Sequence, residues 1–252
     1  MPWMTRMLAL WLLAYSALAH TAIVLKIAAQ EATPPKFIPT PSGTTGFCPD
    51  VLRAIERVDP NIRFSGESSF EPSLRMLDGL AAGRLDVACA LAFTKERTDK
   101  AVFLRPPLFT TDYVLAARTD DPIVINSVDD LRKLGADSAV LGVRGMQILR
   151  RLAEQEGIHA EEGGNTPKAN LEKLASGRGR FFLYRSVGMK TVIKEAGLEA
   201  KIRIVPAVII RTELYMLASR HLPKAQVDEL EQAIEKLKQS GELARIYTKW
   251  QD

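Results

Sequence analysis

Apolar positions along this chain switch between two periods, and the switches mark out its elements. Val51, Leu52, Ile55 and Val58 recur at helical spacing, and Val227, Leu230, Ile234 and Leu237 do the same after Pro223. Shorter apolar runs lie between: Ile23 to Ala28, Leu85 to Ala90, Ala139 to Val143, Gly179 to Arg185, Lys201 to Val205 and Ile209 to Ala218. Their length and composition predict strands, with a weaker one at Asn61 to Phe64. Punctuation agrees with this reading. Gly83 and Gly197 stand where helices end, Ser127 with Asp130 three residues on resembles a capping box, and Thr166-Pro167 opens a helix. Gln30 to Phe37 contains two consecutive prolines, which cannot continue a ladder, and reads as an extended loop. Strands alternating with helices predict an α/β fold of open sheets.

Composition narrows the class of protein. With 252 residues and 46% apolar residues the chain builds one large domain or two small ones, not a disordered segment. The net charge of +4 raises the question of nucleic acid, but the 34 basic residues are interspersed with 30 acidic ones. No block of cations tracks phosphates, so a solvated mixed-charge surface is expected and nucleic acid is not. At the amino terminus Arg6 precedes an apolar run from Met7 to Ala14, and Ala17-Leu18-Ala19 supplies small residues for cleavage. Residues 1–19 are therefore expected to be a signal peptide, with a mature protein of charge +3 in the periplasm; an uncleaved anchor is the alternative. No cysteine directly follows the run to carry lipid. In an oxidising compartment the two cysteines, Cys48 and Cys89, are expected to pair, with two separate buried thiols as the alternative. Two Cys and three scattered His are too few for a metal site, and no cofactor motif is legible.

The chemistry is concentrated after the strand that ends near Ala90. Ligands of open α/β sheets sit outside the carboxyl ends of strands, and Thr94-Lys95-Glu96-Arg97 follows at that place. The ordered set around it, Gly83-x-x-Asp86-strand, Thr94-x-x-Arg97, Phe103, Pro106-Pro107 and Tyr113-Val114-Leu115, resembles the bacterial extracellular solute-binding proteins of family 3. These are two-lobed periplasmic receptors of polar amino acid ABC importers. Gly46-Phe47-Cys48-Pro49-Asp50 matches the family's Gly-Phe-x-x-Asp, and the chain closes, like the family, on a glycine, Gly241, and a helix carrying a terminal Trp, Trp250. The resemblance spans Ile23 to Trp250. It implies a periplasmic-binding-protein-like fold of type II: two open α/β sheets joined by a two-strand hinge near 114–118 and 208–213. Residues 20–115 and the return segment 210–252 form the first lobe and 116–209 the second. It also implies a monomer, no cofactor, a small-molecule ligand and an ABC transporter permease as partner.

The resemblance carries a ligand set onto this chain. Arg97 is expected to grip a carboxylate in the bidentate way a lysine cannot copy, with Thr94 and Ala92 beside it. The first loop contributes Glu31 and Phe37. Phe70 is a candidate to stack on the ligand, with packing as the alternative reading, and Arg75 is a looser one. From the second lobe come Arg144, Gly145 and Met146 at a strand-to-helix turn whose free N–H groups suit an anion, and Tyr184 and Arg185 at a strand end. Three departures bear on specificity. Ala90 and Ala92 stand where relatives present hydroxyls, Met146 replaces another, and Arg185 replaces the acid that pairs with an α-ammonium. A free α-amino acid is therefore expected to be a poor ligand, and an anion with one or two carboxylates a good one. Two other readings use the same fold: a periplasmic dehydratase-like enzyme with Glu31 moving protons, and a sensor module without a transporter.

Overall fold

A computed structural model of the chain describes residues 22–251. The expected signal peptide, residues 1–19, lies outside the described residues. No helix among the described residues is long and apolar enough to cross a membrane.

The first part runs β1 (Ile23–Lys26), β2 (Ala29–Gln30), β3 (Ile38–Thr40), β4 (Gly43–Thr45), α1 (Phe47–Val58), β5 (Ile62–Ser65), β6 (Phe70–Glu71) and α2 (Ser73–Ala81). It continues through β7 (Val87–Ala92), α3 (Lys95–Thr98), β8 (Ala101–Phe103) and β9 (Phe109–Arg118). The middle contains α4 (Val128–Lys133), β10 (Val140–Val143), α5 (Gln147–Glu156), β11 (Ala160–Gly164), α6 (Pro167–Ala175), β12 (Phe181–Arg185) and α7 (Met189–Glu195). The chain returns along β13 (Ile202–Ser219) and ends in α8 (Lys224–Gln239) and α9 (Glu242–Lys249).

The caps read from sequence are formed. Ser127 Oγ accepts from Asp130 N at 3.4 Å, and Thr166 Oγ1 accepts from Ala169 N at 3.1 Å. The apolar stripe of α1 buries Val51, Leu52 and Ile55 against α8 and α9, whose Leu230, Ile234 and Ile246 face it. On the other face of β7, Met76, Leu77 and Leu80 of α2 pack with Tyr215 and Leu217 of β13. A separate cluster in the middle of the chain joins Leu171 and Leu174 of α6 to Phe182, Met189 and Ile193.

The sheets of the two lobes are joined through β9 and β13, the two strands expected at the hinge, so hydrogen bonding is continuous from one lobe to the other. The seven-stranded order is β11-β10-β12-β9-β13-β7, with β8 also on β13. Within β9, residues Tyr113 to Ala117 pair with β12, while Phe109 to Tyr113 pair with β13 at Leu214 to Ile210. β13 is one 18-residue strand where two segments were expected, with its register shifting between Val205 and Ile210. Pro206 lies in that interval and cannot donate to a ladder, which accounts for the interruption seen in the sequence. Cys48 at the start of α1 and Cys89 in β7 form a disulfide, S–S 2.00 Å.

Candidate ligand-binding cleft

The ends of β2, β7, β10 and β12 converge on a cavity of about 370 Å³, within the usual range of small-molecule sites. Arg97 reaches it because of how Thr94 terminates the preceding strand. Thr94 Oγ1 accepts from Arg97 N at 3.3 Å, so one turn of helix forms and folds residue 97 back beside β7. Arg97 Nη1 then donates to Ala92 O at 2.8 Å. The side chain is 6% exposed, and its Nε has no hydrogen-bond partner. Burial pushes the guanidinium pKa down to about 10, with Tyr113 and Glu96 acting in the opposite direction, so Arg97 is still a cation at neutral pH.

Arg185 enters from β12 and is equally buried, at 6% exposure. Its Nη2 donates to Tyr184 Oη at 2.9 Å and to Pro34 O at 3.1 Å, while Tyr184 Oη donates to Pro34 O at 3.0 Å. Tyr113, opposite Arg185 in the ladder, is buried in the same cavity, and burial raises its phenol pKa. The strand-to-helix turn after β10 closes the far wall. Gly145 has φ +77°, a left-handed conformation suited to glycine, and a Cβ there would sit 3.5 Å from Ser73 Oγ, at the start of α2. Met146, Gln147 and Ile148, at the start of α5, line the cavity, and the Met146 N–H donates to Val143 O at 3.0 Å.

Of the ten candidates, Glu31, Ala92, Arg97, Arg144, Gly145, Met146, Tyr184 and Arg185 line the cavity. Glu31 and Arg144 do so from its exposed rim. Thr94 does not line it and acts through the cap that holds Arg97. Phe70 lies outside as well, packed against the main core, as the alternative reading had it. Arg75 is exposed and absent from the lining. In the first loop Phe37 turns into the core at 1% exposure, and its neighbour Lys36 points into the cavity instead. Lys36, Tyr113, Gln30 and Asn165 are lining residues that sequence reasoning missed. Among the described residues the cavity wall thus carries four basic side chains, Lys36, Arg97, Arg144 and Arg185, against one carboxylate, Glu31.

A cleft between two lobes joined by crossing strands, with buried cations at its base, defines a protein that binds a small solute. The chain belongs to the bacterial extracellular solute-binding proteins, family 3, whose family model matches residues 25–252. It is 23% identical over 243 residues to a probable histidine-binding protein of Neisseria gonorrhoeae, covering 92% of this chain and 84% of that one. Among solved structures it is similar to a histidine kinase sensor domain related to periplasmic binding proteins, with a TM-score of 0.74 at 19% identity over 91% of this chain and 96% of that one. An ancestral arginine-binding protein bound to arginine gives 0.69 at 22% identity, covering 90% and 97%. The GluR0 ligand-binding core in complex with L-glutamate gives 0.75 at 16% identity, covering 92% and 99%.

Proposed function

We propose that this protein is a periplasmic receptor that captures a small carboxylate-bearing solute between its lobes and presents it to an ABC-type importer, without catalysis. The observation that carries this reading is the pair of buried guanidinia, Arg97 and Arg185, facing one cavity whose only acid among the described residues is the exposed Glu31. A carboxylate satisfies a guanidinium fork in two parallel hydrogen bonds, and the orphaned Nε of Arg97 supplies one such donor. An α-ammonium meets no buried acid here, and Arg185 repels it. The probable histidine-binding relative supports amino-acid-sized cargo, while the local charge argues for an acid lacking the ammonium. Lobe boundaries near 115 and 210, with β9 and β13 as the hinge, let ligand contacts on both sides favour a closed form. A permease that recognises the closed form then receives the solute.

Calorimetry with simple mono- and dicarboxylic acids, and with L-histidine, L-glutamine and L-arginine, tests the reading. The expected result is binding of an acid lacking an α-ammonium, lowered about 10- to 100-fold by Arg97→Gln, the worth of a charge-assisted hydrogen bond. Sub-micromolar binding of L-glutamine or L-histidine by the wild type would overturn it. Glu31→Gln separates receptor from enzyme: ligand retention is expected to persist, whereas turnover of an arogenate-like substrate that this substitution abolishes would favour a dehydratase.

A further inference from the structure

Lys36 is held in the cavity by the whole of its surroundings. Its N–H donates to Thr33 O at 2.7 Å, and the first N–H groups of α1 clasp the same turn, Phe47 to Pro35 O and Cys48 to Lys36 O, each at 3.2 Å. With the backbone fixed and Phe37 in the core, the Lys36 side chain can only run toward the ligand space, where it is 2% exposed. Nζ donates to Gln30 Oε1 and, at 2.8 Å, to Ala90 O. The second acceptor is available because the β7–β13 ladder slips there: Leu91 pairs with Tyr215 and Ala88 with Leu217, while Ala90 takes φ +58°. Both partners are neutral, and Lys36 forms no ion pair among the described residues.

An ammonium at this point is stripped of water and shares its cavity with two guanidinia that stay protonated at neutral pH. Burial first, then Arg185, then Arg97, push the amine well below its ordinary value of 10.5. The other titratable groups on the cavity wall are the buried phenols of Tyr113 on β9 and Tyr184 on β12, and Arg144 and Glu31 on the exposed rim. None of these supplies a buried negative charge. A single carboxylate entering the cavity offsets part of the guanidinium charge, and a second anionic group is what makes a protonated Lys36 favourable.

We infer that Lys36 is the third anchor of the ligand, that the ligand is a small dianion, and that binding it draws one proton from solvent onto Lys36 Nζ. The inference rests on reading the cleft as an anion site, and it adds both a ligand class and a linkage. Protonation favoured by the bound dianion means that its affinity falls as pH rises between the free and the bound amine pKa, by up to about tenfold per pH unit. A monoanion, which offsets less of the positive charge, shows a weaker dependence.

The test is calorimetry with succinate, glutarate and phthalate beside their single-acid counterparts butyrate, valerate and benzoate, in two buffers of unlike ionisation enthalpy at one pH. At least one diacid is expected to bind about tenfold or more tighter than its counterpart, with buffer-dependent heat reporting proton uptake. Lys36→Met and Lys36→Gln are expected to close that gap and abolish the uptake. Diacids binding no tighter than monoacids, absence of proton uptake, or diacid affinity unchanged in both variants overturns the inference while leaving the anion cleft intact. No binding of any of the six acids at millimolar concentration overturns both. Because either variant can fold poorly, the wild-type protein offers a second readout: in lysine ε-methylene carbon NMR of the free protein, Lys36 is expected to titrate below every other lysine, and titration with the rest contradicts the proposal.

Discussion

Arg97 and Lys36 reach the same cavity by different local devices, and the difference explains why only one of them was legible. Thr-x-x-Arg after a strand is a capped turn, so the sequence itself specifies where the guanidinium goes. Thr94→Ala is expected to cost about 1 kcal/mol of stability, as loss of a helix cap does, and to weaken ligand binding; Thr94→Ser should restore both in denaturation and calorimetry. Lys36 has no such signature. Its direction is a one-residue choice in an irregular loop, Lys36 to the cavity and Phe37 to the core, decided by hydrogen bonds to α1 that lie ten or more residues away. The titration of Lys36 also links to folding. The unfolded chain keeps this proton up to 10.5 and the folded chain releases it lower, so between those values the unfolded state binds more protons and stability rises with pH. Urea denaturation at about pH 7 and about pH 9 should show that rise in the free wild-type protein, and a smaller one in Lys36→Met. Equal slopes would show that the amine is not perturbed by the fold.

Among elements, those with a clean period were read correctly and those without one were not. The stripes of α1 and α8 gave their helices, because one face of each meets the core. β11, Ala160–Gly164, has the sequence AEEGG with neither alternation nor apolar run; it is an edge strand held by backbone bonds to β10. The segment before α2 places Phe70 against the core and Arg75 in solvent, a register that the family pattern does not fix. The disulfide belongs to this scale too. It ties the start of α1, which clasps the Lys36 turn, to the strand whose Ala90 carbonyl receives Lys36 Nζ. Its 41-residue separation corresponds to about 4 kcal/mol of loop entropy, so Cys48→Ser with Cys89→Ser should lower unfolding free energy by about that amount and weaken ligand binding as well. Loss of stability with ligand affinity untouched would mean that the bridge does not position the site.

At the scale of the molecule, β9 and β13 join the two sheets into one hydrogen-bonded support. What crosses the cleft is specific. Tyr184 and Arg185 bond to the Pro34 carbonyl, and Gly188, at φ +91°, leaves no space for a side chain: a Cβ would lie 2.6 Å from Pro35 Cδ and 2.8 Å from Pro34 O. Gly188→Ala should therefore force the second lobe away from the proline turn, raising the radius of gyration in small-angle scattering and lowering ligand affinity together. The resemblance found in the sequence supplied the two-lobed plan and the family, because it rests on motifs at strand ends and helix starts. The electrostatics of the cleft came from the three-dimensional meeting of Lys36, Arg97 and Arg185, residues that are 149 positions apart at the extremes (185 − 36). The most direct measurement is a crystal structure of the protein with the tightest-binding carboxylic acid of the calorimetric panel. The expected result is a carboxylate in the cleft within hydrogen-bond distance of the Arg97 and Arg185 guanidinia; an acid bound elsewhere, or an α-ammonium seated against Tyr184 with Arg185 turned away, would contradict it.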